Sequence, residues 1–485
     1  MIPMRTDGLP SSHLDGALYG ADGSARKLVV IVDFDTVNPD PEQVDTQGLL
    51  GGLLPEDTVQ WFRYSDAGAP SDTQRFGGDW LPDHPVGWVA VSDDESDLKT
   101  RTVSVADEAT VRQTAVFTEM VMVGAQALSN GSTAPAQAHR DALLVAASES
   151  IGADILVTAR EPILSSENRF AYGATVASPS QALPLIGLYL RARGEFIRSR
   201  GDRVKFNSTK SGFYEAAVLH FAPRFLDVVR HIGAVEGAGA REGVYGNGVS
   251  AFRRARRSFE RRDRLWMLSN QAHDRGVAED ILGEFEVLLT TLVGVLDPLA
   301  KVTDELFELG TQNPQWIGWQ KPKWRAAVKD ADPVLGAIFS GGSEAWQVLT
   351  VLTELRNLIH AEGLDVASFG DGRRNQRTWF TIAPGTVATI IERTGGINIA
   401  ALWGFMVTTA GYWLAEPGPL SDLLITGVMK AVDQISRQFE PVLRHLATAS
   451  PAPQLSYNVE LIDRHVGWLL GMDEADEPVT PGASS

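Results

Sequence analysis

Residues 27–37 read KLVVIVDFDTV, and residues 141–164 read DALLVAASESIGADILVTAREPIL. The first stretch is an apolar, β-branched run of strand length that ends in acidic residues, and it predicts a buried strand. The second belongs to a predicted helix over 139–150, which Gly152 closes, followed by a short buried strand over 153–159. Both stretches indicate a fold in which strands and helices alternate.

Further patterns extend this alternation along the chain. VGWVAVS (86–92) predicts a strand, residues 107–129 predict a helix, and residues 174–196 predict a strand, a Ser-Pro-Ser cap and a helix. Strands that alternate with helices imply a parallel sheet with helices on its faces. We therefore expect an α/β domain over 27–200, preceded by a disordered segment over 1–26 that is rich in Gly, Ser and Asp.

Strand patterns become sparse after the α/β domain, and helical periodicity takes their place. Helices are predicted over 212–232, 251–266, 280–309, 343–363, 397–415, 420–447 and 457–471. A Gly-rich break at 233–248 is the best candidate for a linker, within a helical connector over 201–270. We expect an all-α domain over 271–450, then a C-terminal helix and an acidic tail over 451–485.

Composition limits the classes of function. The chain has 485 residues and a net charge of −18, so a nucleic-acid role requires a local basic patch or a metal. It has no cysteine, which excludes disulfides, thiolate metal sites and cysteine nucleophiles and suits a reducing cytoplasm. The first 16 residues lack the apolar core of a secretory signal. We expect a cytoplasmic protein.

One uncharged stretch, GGINIAALWGFMVTTAGYWLA (395–415), has the length of a membrane span. It contains Asn398, Thr408, Thr409 and several glycines, and no basic cluster flanks it as the positive-inside rule requires. A buried core helix is the favoured interpretation, and a membrane span is the alternative.

Acidic residues lie at or near the ends of several predicted elements. Asp33 and Asp35 close the first strand, and the C-terminal ends of parallel strands form the ligand crevice of such a sheet. Glu119 lies inside an otherwise apolar helix, Asp141 begins the helix DALLVAASES, and Glu161 lies just past the strand ILVT. Because divalent cations such as Mg²⁺ prefer hard oxygen ligands, these five residues are candidate ligands for Mg²⁺ or Mn²⁺.

This order of acids resembles the PIN domain, a metal-dependent ribonuclease fold. In that family an Asp ends the first strand, an acid lies on a mid-domain helix, and a helix that begins with Asp precedes a strand ending in "vT-x-D". The matching text is VDFDT, TEMVMVGAQAL and DALLVAASESIGADILVTAREPIL, within residues 27–195. The resemblance implies a metal-dependent nuclease site. Arg160 stands where the family has its last acid, so either Glu161 substitutes for that acid or the ligand is missing.

An ordinary α/β domain explains the same residues without a metal. Asp141 would then cap the N-terminus of its helix, and Asp33 and Asp35 would be solvated residues at the end of a strand. A lost ligand would weaken metal binding and leave an inactive domain of the same fold.

A second candidate site lies on the predicted helix EAWQVLTVLTELRNLIHAEGL. Arg356 and His360 are four residues apart and share one helical face, and the polar Asn357 follows the arginine. Histidine moves protons near neutral pH, and arginine grips a phosphate bidentately. Together they could cleave RNA without a metal, through attack of the 2′-hydroxyl on the adjacent phosphate with His360 as base or acid.

The segment LRNLIHAEGL resembles the HEPN family, helical bundles with an Arg-polar-His ribonuclease motif. The resemblance covers residues 280–447 and implies a homodimer, because HEPN domains usually build the active site across two copies. In most members of that family, more residues separate the arginine from the histidine than the three between Arg356 and His360. The catalytic geometry therefore stays open. The alternative is that Arg356 pairs with Glu354, Glu362 or another acid and that His360 caps carbonyl groups near the helix end.

The stretch FRRARRSFERRDRLW predicts a basic helix with a stripe of Phe252, Phe259 and Trp266. The aromatic stripe is expected to dock on the domain and the arginines to face outward. Such a concentration of cations in an acidic chain suits phosphate contacts, and pairing with acidic neighbours of the same protein is the alternative. The candidate nucleic-acid contacts are Arg253, Arg254, Arg256 and Arg257.

Both resemblances point to RNA. The sequence predicts a ribonuclease or RNA-binding protein that resembles bacterial toxins and antiviral (phage-defence) effectors. A non-catalytic interaction or RNA-binding protein with degenerate nuclease domains is the alternative, and a membrane-associated protein through residues 395–415 is the third.

Overall fold

The structure is a computed structural model in which two compact units can be distinguished. The N-terminal unit comprises residues 7–206 and 468–485, and the helical unit comprises residues 207–467 and 1–6. The described residues are 26–41, 43, 45–68, 86–92, 100–106, 111–129, 134–165, 174–200, 204–237, 239, 243–271, 275–361, 363–369, 377–396, 403–447 and 464–472.

The N-terminal unit alternates strands and helices. Its elements are β1 (Leu28–Asp33), α1 (Thr46–Leu53), β2 (Val59–Tyr64), β3 (Gly87–Val91), β4 (Thr100–Ala106), β5 (Val111–Phe117), α2 (Thr118–Ser129), α3 (Pro135–Ser150), β6 (Ile155–Val157), α4 (Glu161–Leu164), β7 (Thr175–Ala177), α5 (Pro179–Ala192) and β8 (Phe196–Arg200). The next strand, β9 (Val204–Ser208), pairs with β8 and contains the division between the units.

Seven strands of the described residues form one sheet in the order β5-β4-β3-β2-β1-β6-β7. Strands β3, β2, β1, β6 and β7 run parallel to one another, and at one edge β4 pairs antiparallel with β3 and β5 pairs antiparallel with β4. The chain builds outward from β1 to β3 and later returns to add β6 and β7 on the other side of β1. The strand order therefore reverses between β1 and β6, and such a reversal opens a crevice at the C-terminal strand ends.

Local signals explain why these elements form and end where they do. Four of the five apolar side chains of β1, including that of Ile31, are at most 1% exposed, as expected for a central strand covered on both faces. Gly152 follows α3 with a φ of 65°, a left-handed conformation that glycine adopts without strain. Ser178 and Gln181 form a capping box at the start of α5. The α/β expectation is thereby confirmed.

One predicted helix of this unit is partly wrong. Residues 111–117 of the expected helix 107–129 form β5, and α2 begins only at Thr118, whereas 107–110 lie outside the described residues. Every residue of β5 pairs with a residue of β4 in an unbroken antiparallel register. Tertiary pairing with β4 therefore overrides the local periodicity that favoured a helix.

The helical unit contains most of the long helices. Its further elements are α6 (Lys210–Phe221), α7 (Phe225–Gly237), α8 (Val244–Ser269), α9 (Arg275–Leu306), α10 (Pro322–Ala331), α11 (Pro333–Ile338), α12 (Glu344–Ala361), β10 (Asp365–Phe369), β11 (Arg377–Ile382), α13 (Pro384–Thr394), β12 (Met406–Val407), β13 (Trp413–Ala415) and α14 (Pro417–Ala447). The last helix, α15 (Arg464–Leu470), contains a second division between the units. The predicted helix 212–232 is divided into α6 and α7 at Pro223, which cannot donate a backbone hydrogen bond.

The expectation of an all-α domain is wrong, because four strands of the described residues form an antiparallel sheet in the order β10-β11-β13-β12. The predicted core helix 397–415 is also wrong where it is described, since residues 403–415 contain β12 and β13. Trp403 and Trp413 are nevertheless buried, so the apolar stretch does contribute to the core. No helix among the described residues combines the length and apolarity needed to cross a bilayer.

The aromatic stripe of α8 is buried as predicted, with Phe252, Phe259 and Trp266 in the core. The expectation that the arginines of this helix all face outward is wrong for Arg262, whose side chain is 0% exposed. Arg262 donates to both carboxylate oxygens of Asp422 at 2.7 and 3.0 Å and to Asp263 at 3.0 Å. A buried charge is tolerated only with such pairing, so α8 is joined to α14 by a buried ion pair.

Glycine substitutions should reveal the close packing of α12 on α14. A Cβ at Gly427 would overlap Val348, whereas a Cβ at the exposed Gly283 of α9 would meet nothing. We expect Gly427→Ala to lower the free energy of unfolding by about 1–3 kcal/mol because it overpacks the interface. The control Gly283→Ala should raise it by about 1 kcal/mol, since alanine is the better helix former. Urea denaturation of both variants measures these opposite signs, and equal effects would contradict the packing.

Candidate functional site

Three of the predicted acids meet at the crevice where the strand order of the large sheet reverses. Asp33 is the last residue of β1, Asp35 lies two residues later, and Asp141 projects from the middle of α3. Asp33 and Asp141 are 0% exposed. The topology thus brings together residues that are more than 100 positions apart in the chain.

A guanidinium, that of Arg160, lies at the centre of these acids. Arg160 Nε donates to Asp33 Oδ2 at 2.8 Å, and Nη2 donates to Asp33 Oδ1 at 3.1 Å. The same Nη2 lies 3.3 Å from Asp35 Oδ2 and 3.2 Å from Asp66 Oδ1, and Nη1 lies 3.2 Å from Asp141 Oδ1. Four carboxylates therefore share one cation, whose side chain is only 3% exposed. We call Asp33, Asp35, Asp66, Asp141 and Arg160 the arginine-centred cluster.

Neutral donors complete the arginine-centred cluster. The hydroxyl groups of Thr36 and Thr158 donate to Asp33 Oδ2 at 2.7 and 2.8 Å. Gln137, one turn before Asp141 on α3, donates to Asp141 Oδ1 at 2.7 Å. Such donors fix the orientation of each carboxylate, so the cluster is held by hydrogen bonds as well as by charge.

The electrostatics of the cluster favour a permanently charged Arg160. Burial by itself would lower the pKa of Arg160, but hydrogen bonds and charge from Asp33 and Asp66 outweigh it and raise that pKa above its ordinary value. Burial, together with the charge of Asp66, also raises the pKa of the neighbouring Tyr64 phenol. The guanidinium therefore remains a cation at every ordinary pH, and Tyr64 remains neutral.

Asp141 does not cap a helix, so that alternative for it is wrong. Helix α3 begins at Pro135, and Asp141 lies almost two turns inside it. The side chain is directed to Arg160 through Oδ1, and its Oδ2 atom is buried without a hydrogen-bond partner among the described residues. A buried carboxylate oxygen without a partner is unusual in proteins.

Glu119 and Glu161 are not part of the arginine-centred cluster. Glu119 is exposed in the first turn of α2, where it lines an apolar groove of about 690 Å³ together with Glu149 of α3. The groove is separate from the cluster, because Glu149 follows Asp141 by eight residues on α3, a distance of about 12 Å along the helix axis. Glu161 begins α4 with an exposed side chain, and among the described residues it makes no side-chain bond to the cluster. It does not substitute for the missing acid.

Sequence reasoning missed Asp66 and the central role of Arg160. Asp66 lies two residues beyond β2, at the same edge as the other strand ends, and its backbone N–H donates to Asp35 Oδ2 at 2.6 Å. The alternating VQWFRY (59–64) is the signal that would have revealed β2 and thereby Asp66. From the sequence, Arg160 was notable only because it stands where the PIN domain has its last acid.

The second predicted site lies on α12, as expected. Arg356 is half-buried, and Asn357 and His360 are exposed. Of the acids named as alternative partners of Arg356, Glu354 accepts from Arg393 instead, and Glu362 lies outside the described residues. The Nε atom of Arg356 is buried without a hydrogen-bond partner among the described residues.

The charge of Arg356 acts on Asp297 of α9, and so do the charges of two further cations. Desolvation raises the pKa of Asp297, although the residue is exposed, and the charges of Arg356, Lys301 and Arg254 oppose that rise. Arg254 belongs to α8 and donates to the backbone carbonyl of Gly294 at 2.8 Å. Cations of helices α8, α9 and α12 thus act electrostatically on one carboxylate.

The predicted nucleic-acid contacts of α8 fall into two groups. Arg256 contacts Ser211 and lies 3.4 Å from Glu215, which fits the alternative of pairing within the protein. Arg253 and Arg257 are exposed and form no hydrogen bond or ion pair with the described part of the chain. Because helical positions three and four apart are neighbours, Arg257 lies beside both Arg253 and Arg254. We use the name basic face for Arg253, Arg254, Arg257, Lys301 and Arg356.

The predicted metal stays a prediction. Among the described residues, no group of three or more metal-ligating side chains is placed to hold an ion. In the arginine-centred cluster, Arg160 already bonds the oxygens that Mg²⁺ or Mn²⁺ would need, so the residues do not fit a metal while Arg160 occupies the centre. Comparison of the chain with protein-family models, with curated proteins and with solved structures gave no match.

Proposed function

We propose that this protein acts on RNA and that the helical unit makes the RNA contacts. The observation that carries the proposal is that Arg253 and Arg257 of α8 are exposed and form no hydrogen bond or ion pair in the described part of the chain. Arg254 lies beside them and bonds the backbone carbonyl of Gly294, and its charge acts on Asp297 together with those of Lys301 and Arg356. In a chain of net charge −18, such an excess of cations is suited to a phosphate backbone.

Arg356 is the residue of the basic face best prepared for a phosphate. Its buried Nε lacks an acceptor, and an unsatisfied buried donor costs about 1–3 kcal/mol. A phosphate oxygen would supply an acceptor, and a guanidinium binds phosphate bidentately. We assign to Arg356 the binding of the phosphate that reacts.

His360 lies one helical turn beyond Arg356, exposed to solvent. In the proposed reaction His360 accepts the proton of a 2′-hydroxyl, whose oxygen attacks the adjacent phosphorus and displaces the 5′-oxygen of the next nucleotide. Arg356 stabilises the negative charge that develops on the phosphate oxygens. The displaced 5′-oxygen takes a proton from a water molecule, so that the products are a 2′,3′-cyclic phosphate and a 5′-hydroxyl, and the protonated His360 returns its proton to solvent.

The N-terminal unit does not cut RNA in this proposal. Its carboxylates lie where the PIN resemblance implies them, but Arg160 occupies their centre. The resemblance to the HEPN family adds a homodimer to the proposal, and the resemblance to toxins and phage-defence ribonucleases adds a role in antiviral defence.

A non-catalytic RNA-binding protein is the second candidate. The observation that favours it concerns His360, which has no hydrogen bond to a second side chain among the described residues. Catalytic histidines are usually oriented by a third group. The basic face serves this function equally well, since binding requires only its charges.

RNA binding should depend on the basic face and not on arginines in general. We expect Arg253→Gln/Arg257→Gln to weaken binding of single-stranded RNA and to lower the salt slope of log Kd by roughly 1.4, since each lost phosphate contact removes about 0.7. The control Arg261→Gln/Arg264→Gln removes the same charge from the same helix, but both arginines pair with Glu284. Fluorescence anisotropy at several salt concentrations measures the slopes.

The outcome distinguishes the candidates. Equal slopes in the two double variants would contradict the basic face. RNA cleavage that persists in EDTA supports the Arg356 and His360 chemistry, cleavage that EDTA abolishes contradicts it, and binding without cleavage supports the second candidate.

A further inference from the structure

The arginine-centred cluster of the N-terminal unit has too little positive charge for its acids. Arg160 faces four carboxylates, those of Asp33, Asp35, Asp66 and Asp141. The only other ion pair found for these acids in the described residues is that of Arg140 with Asp66, at 3.4 Å and with a 46% exposed arginine side chain. The side chains of Asp35 and Asp66 are 33% and 26% exposed, so solvent reaches them, whereas Asp33 and Asp141 are fully buried around one guanidinium. The buried excess of negative charge is that of two carboxylates over one cation, and it requires compensation by a cation or by protons.

A second observation concerns Asp141 alone. Its side chain is 0% exposed and reaches Arg160 through Oδ1, yet its Oδ2 atom has no hydrogen-bond partner among the described residues. The planar guanidinium places its donors on Asp141 Oδ1 and on both oxygens of Asp33 and cannot reach every acceptor. Asp141 therefore keeps one buried carboxylate oxygen that Arg160 does not satisfy.

We propose that Arg160 replaces a divalent cation in this cluster. The guanidinium serves as the counter-ion of the carboxylates and occupies the position that a divalent cation would take. The carboxylates bind Mg²⁺ or Mn²⁺ only when residue 160 carries no charge. In the native protein the N-terminal unit needs no metal to fold, and added metal does not bind among these acids.

The physical reason lies in charge and distance. The nitrogens of Arg160 lie 2.8–3.3 Å from the four carboxylates, whereas Mg²⁺ lies at about 2.0–2.1 Å from its oxygen ligands. Both cations cannot occupy one centre. Without the guanidinium, the carboxylates repel one another, and a doubly charged ion compensates them better than a single charge does. Thr36 and Thr158 still orient Asp33 in that case.

Arg160→Gln tests the proposal, because glutamine is polar and uncharged. Melting temperatures are measured in EDTA, in millimolar MnCl₂ and in NaCl of equal ionic strength, and Mn²⁺ binding is titrated by electron paramagnetic resonance. We expect no specific response of the wild type to Mn²⁺. Arg160→Gln should melt several degrees lower in EDTA, recover with Mn²⁺ but not with NaCl, and bind one Mn²⁺ per chain.

Two further variants serve as controls. Arg160→Lys keeps a cation at the centre and should not respond to Mn²⁺. The triple variant Arg160→Gln/Asp35→Asn/Asp141→Asn lacks two of the ligands and should lose the Mn²⁺ response of Arg160→Gln.

Each remaining outcome overturns the proposal. A wild type that binds Mn²⁺ among these acids shows that the site is already open. A folded Arg160→Gln protein without Mn²⁺ binding, or one that stays unfolded with Mn²⁺ present, shows that the carboxylates cannot accept a metal in place of the guanidinium. The RNA experiments have no bearing on this test, since they concern residues of the helical unit.

Discussion

His360→Ala and Arg356→Ala should each reduce RNA cleavage by at least about 100-fold, the lower end of what a general acid or base contributes. The double variant should lose little more than either single variant, because groups that act on one phosphate work as a unit. The exposure of His360 separates activity from stability. Because its side chain is exposed and has no side-chain partner in the described part of the chain, His360→Ala should change the free energy of unfolding by no more than about 0.5 kcal/mol.

Matched controls exist for both residues. His231 is exposed on α7, and Arg437 is a largely exposed arginine of α14 that pairs with Asp433. His231→Ala and Arg437→Ala should cleave RNA at the wild-type rate. Cleavage of a fluorescent RNA in EDTA and melting temperature are measured on the same preparations.

The structural alternative predicts a different pattern for the same variants. If Arg356 only compensates Asp297, Arg356→Ala lowers the melting temperature, and any loss of cleavage follows the unfolded fraction. A stable His360→Ala protein that cleaves RNA as fast as the wild type would remove this pair from the active site.

Arg262→Met should lower the free energy of unfolding of the helical unit by about 3–5 kcal/mol, because it removes the guanidinium that pairs with the buried Asp263 and the part-buried Asp422. Arg262 is 0% exposed and holds Asp422 through two hydrogen bonds, and Asp263 beside it is 1% exposed. Trp266 Nε1 also donates to Asp422 Oδ1, at 3.2 Å, but it brings no charge. The neutral indole N–H of Trp266 cannot balance the negative charges of Asp263 and Asp422.

Arg264→Met is the control, since Arg264 lies on the same helix with a 65% exposed side chain paired to Glu284. Its loss should cost no more than about 1 kcal/mol, as for other surface pairs. The triple variant Arg262→Met/Asp263→Asn/Asp422→Asn should recover much of the lost stability, because it removes the uncompensated charges as well. Urea denaturation followed by tryptophan fluorescence measures all three variants, and equal effects of Arg262→Met and Arg264→Met would contradict a buried ion pair.

The α/β part of the fold was predictable because its signals are local. Continuous apolar runs identify β1 and β6, and Gly152 and Ser178 mark the end of α3 and the start of α5. The short, partner-dependent strands of the helical unit were not predictable in this way. Strand β13 has three residues and pairs with β11, more than thirty positions away in the chain.

The candidate sites, like the fold, were predictable from the sequence only where their signals are local. Their residue types and spacings are visible in the sequence, as for Asp33, Asp35 and the Arg356–His360 pair on one helix. The excess of cations around Asp297 is not visible, because its members come from three helices.

The sequence by itself determined that a buried parallel strand ends in acids and that an α/β part precedes a largely helical part. It also determined that the chain contains acids and arginines suited to binding cations and phosphates. Only the tertiary structure decided which charges meet. Arg160 follows β6 and Asp33 ends β1, and the pairing of these two strands brings the guanidinium onto the carboxylate. Local patterns encode secondary structure and burial, whereas Coulomb interactions depend on distances that only the folded topology sets.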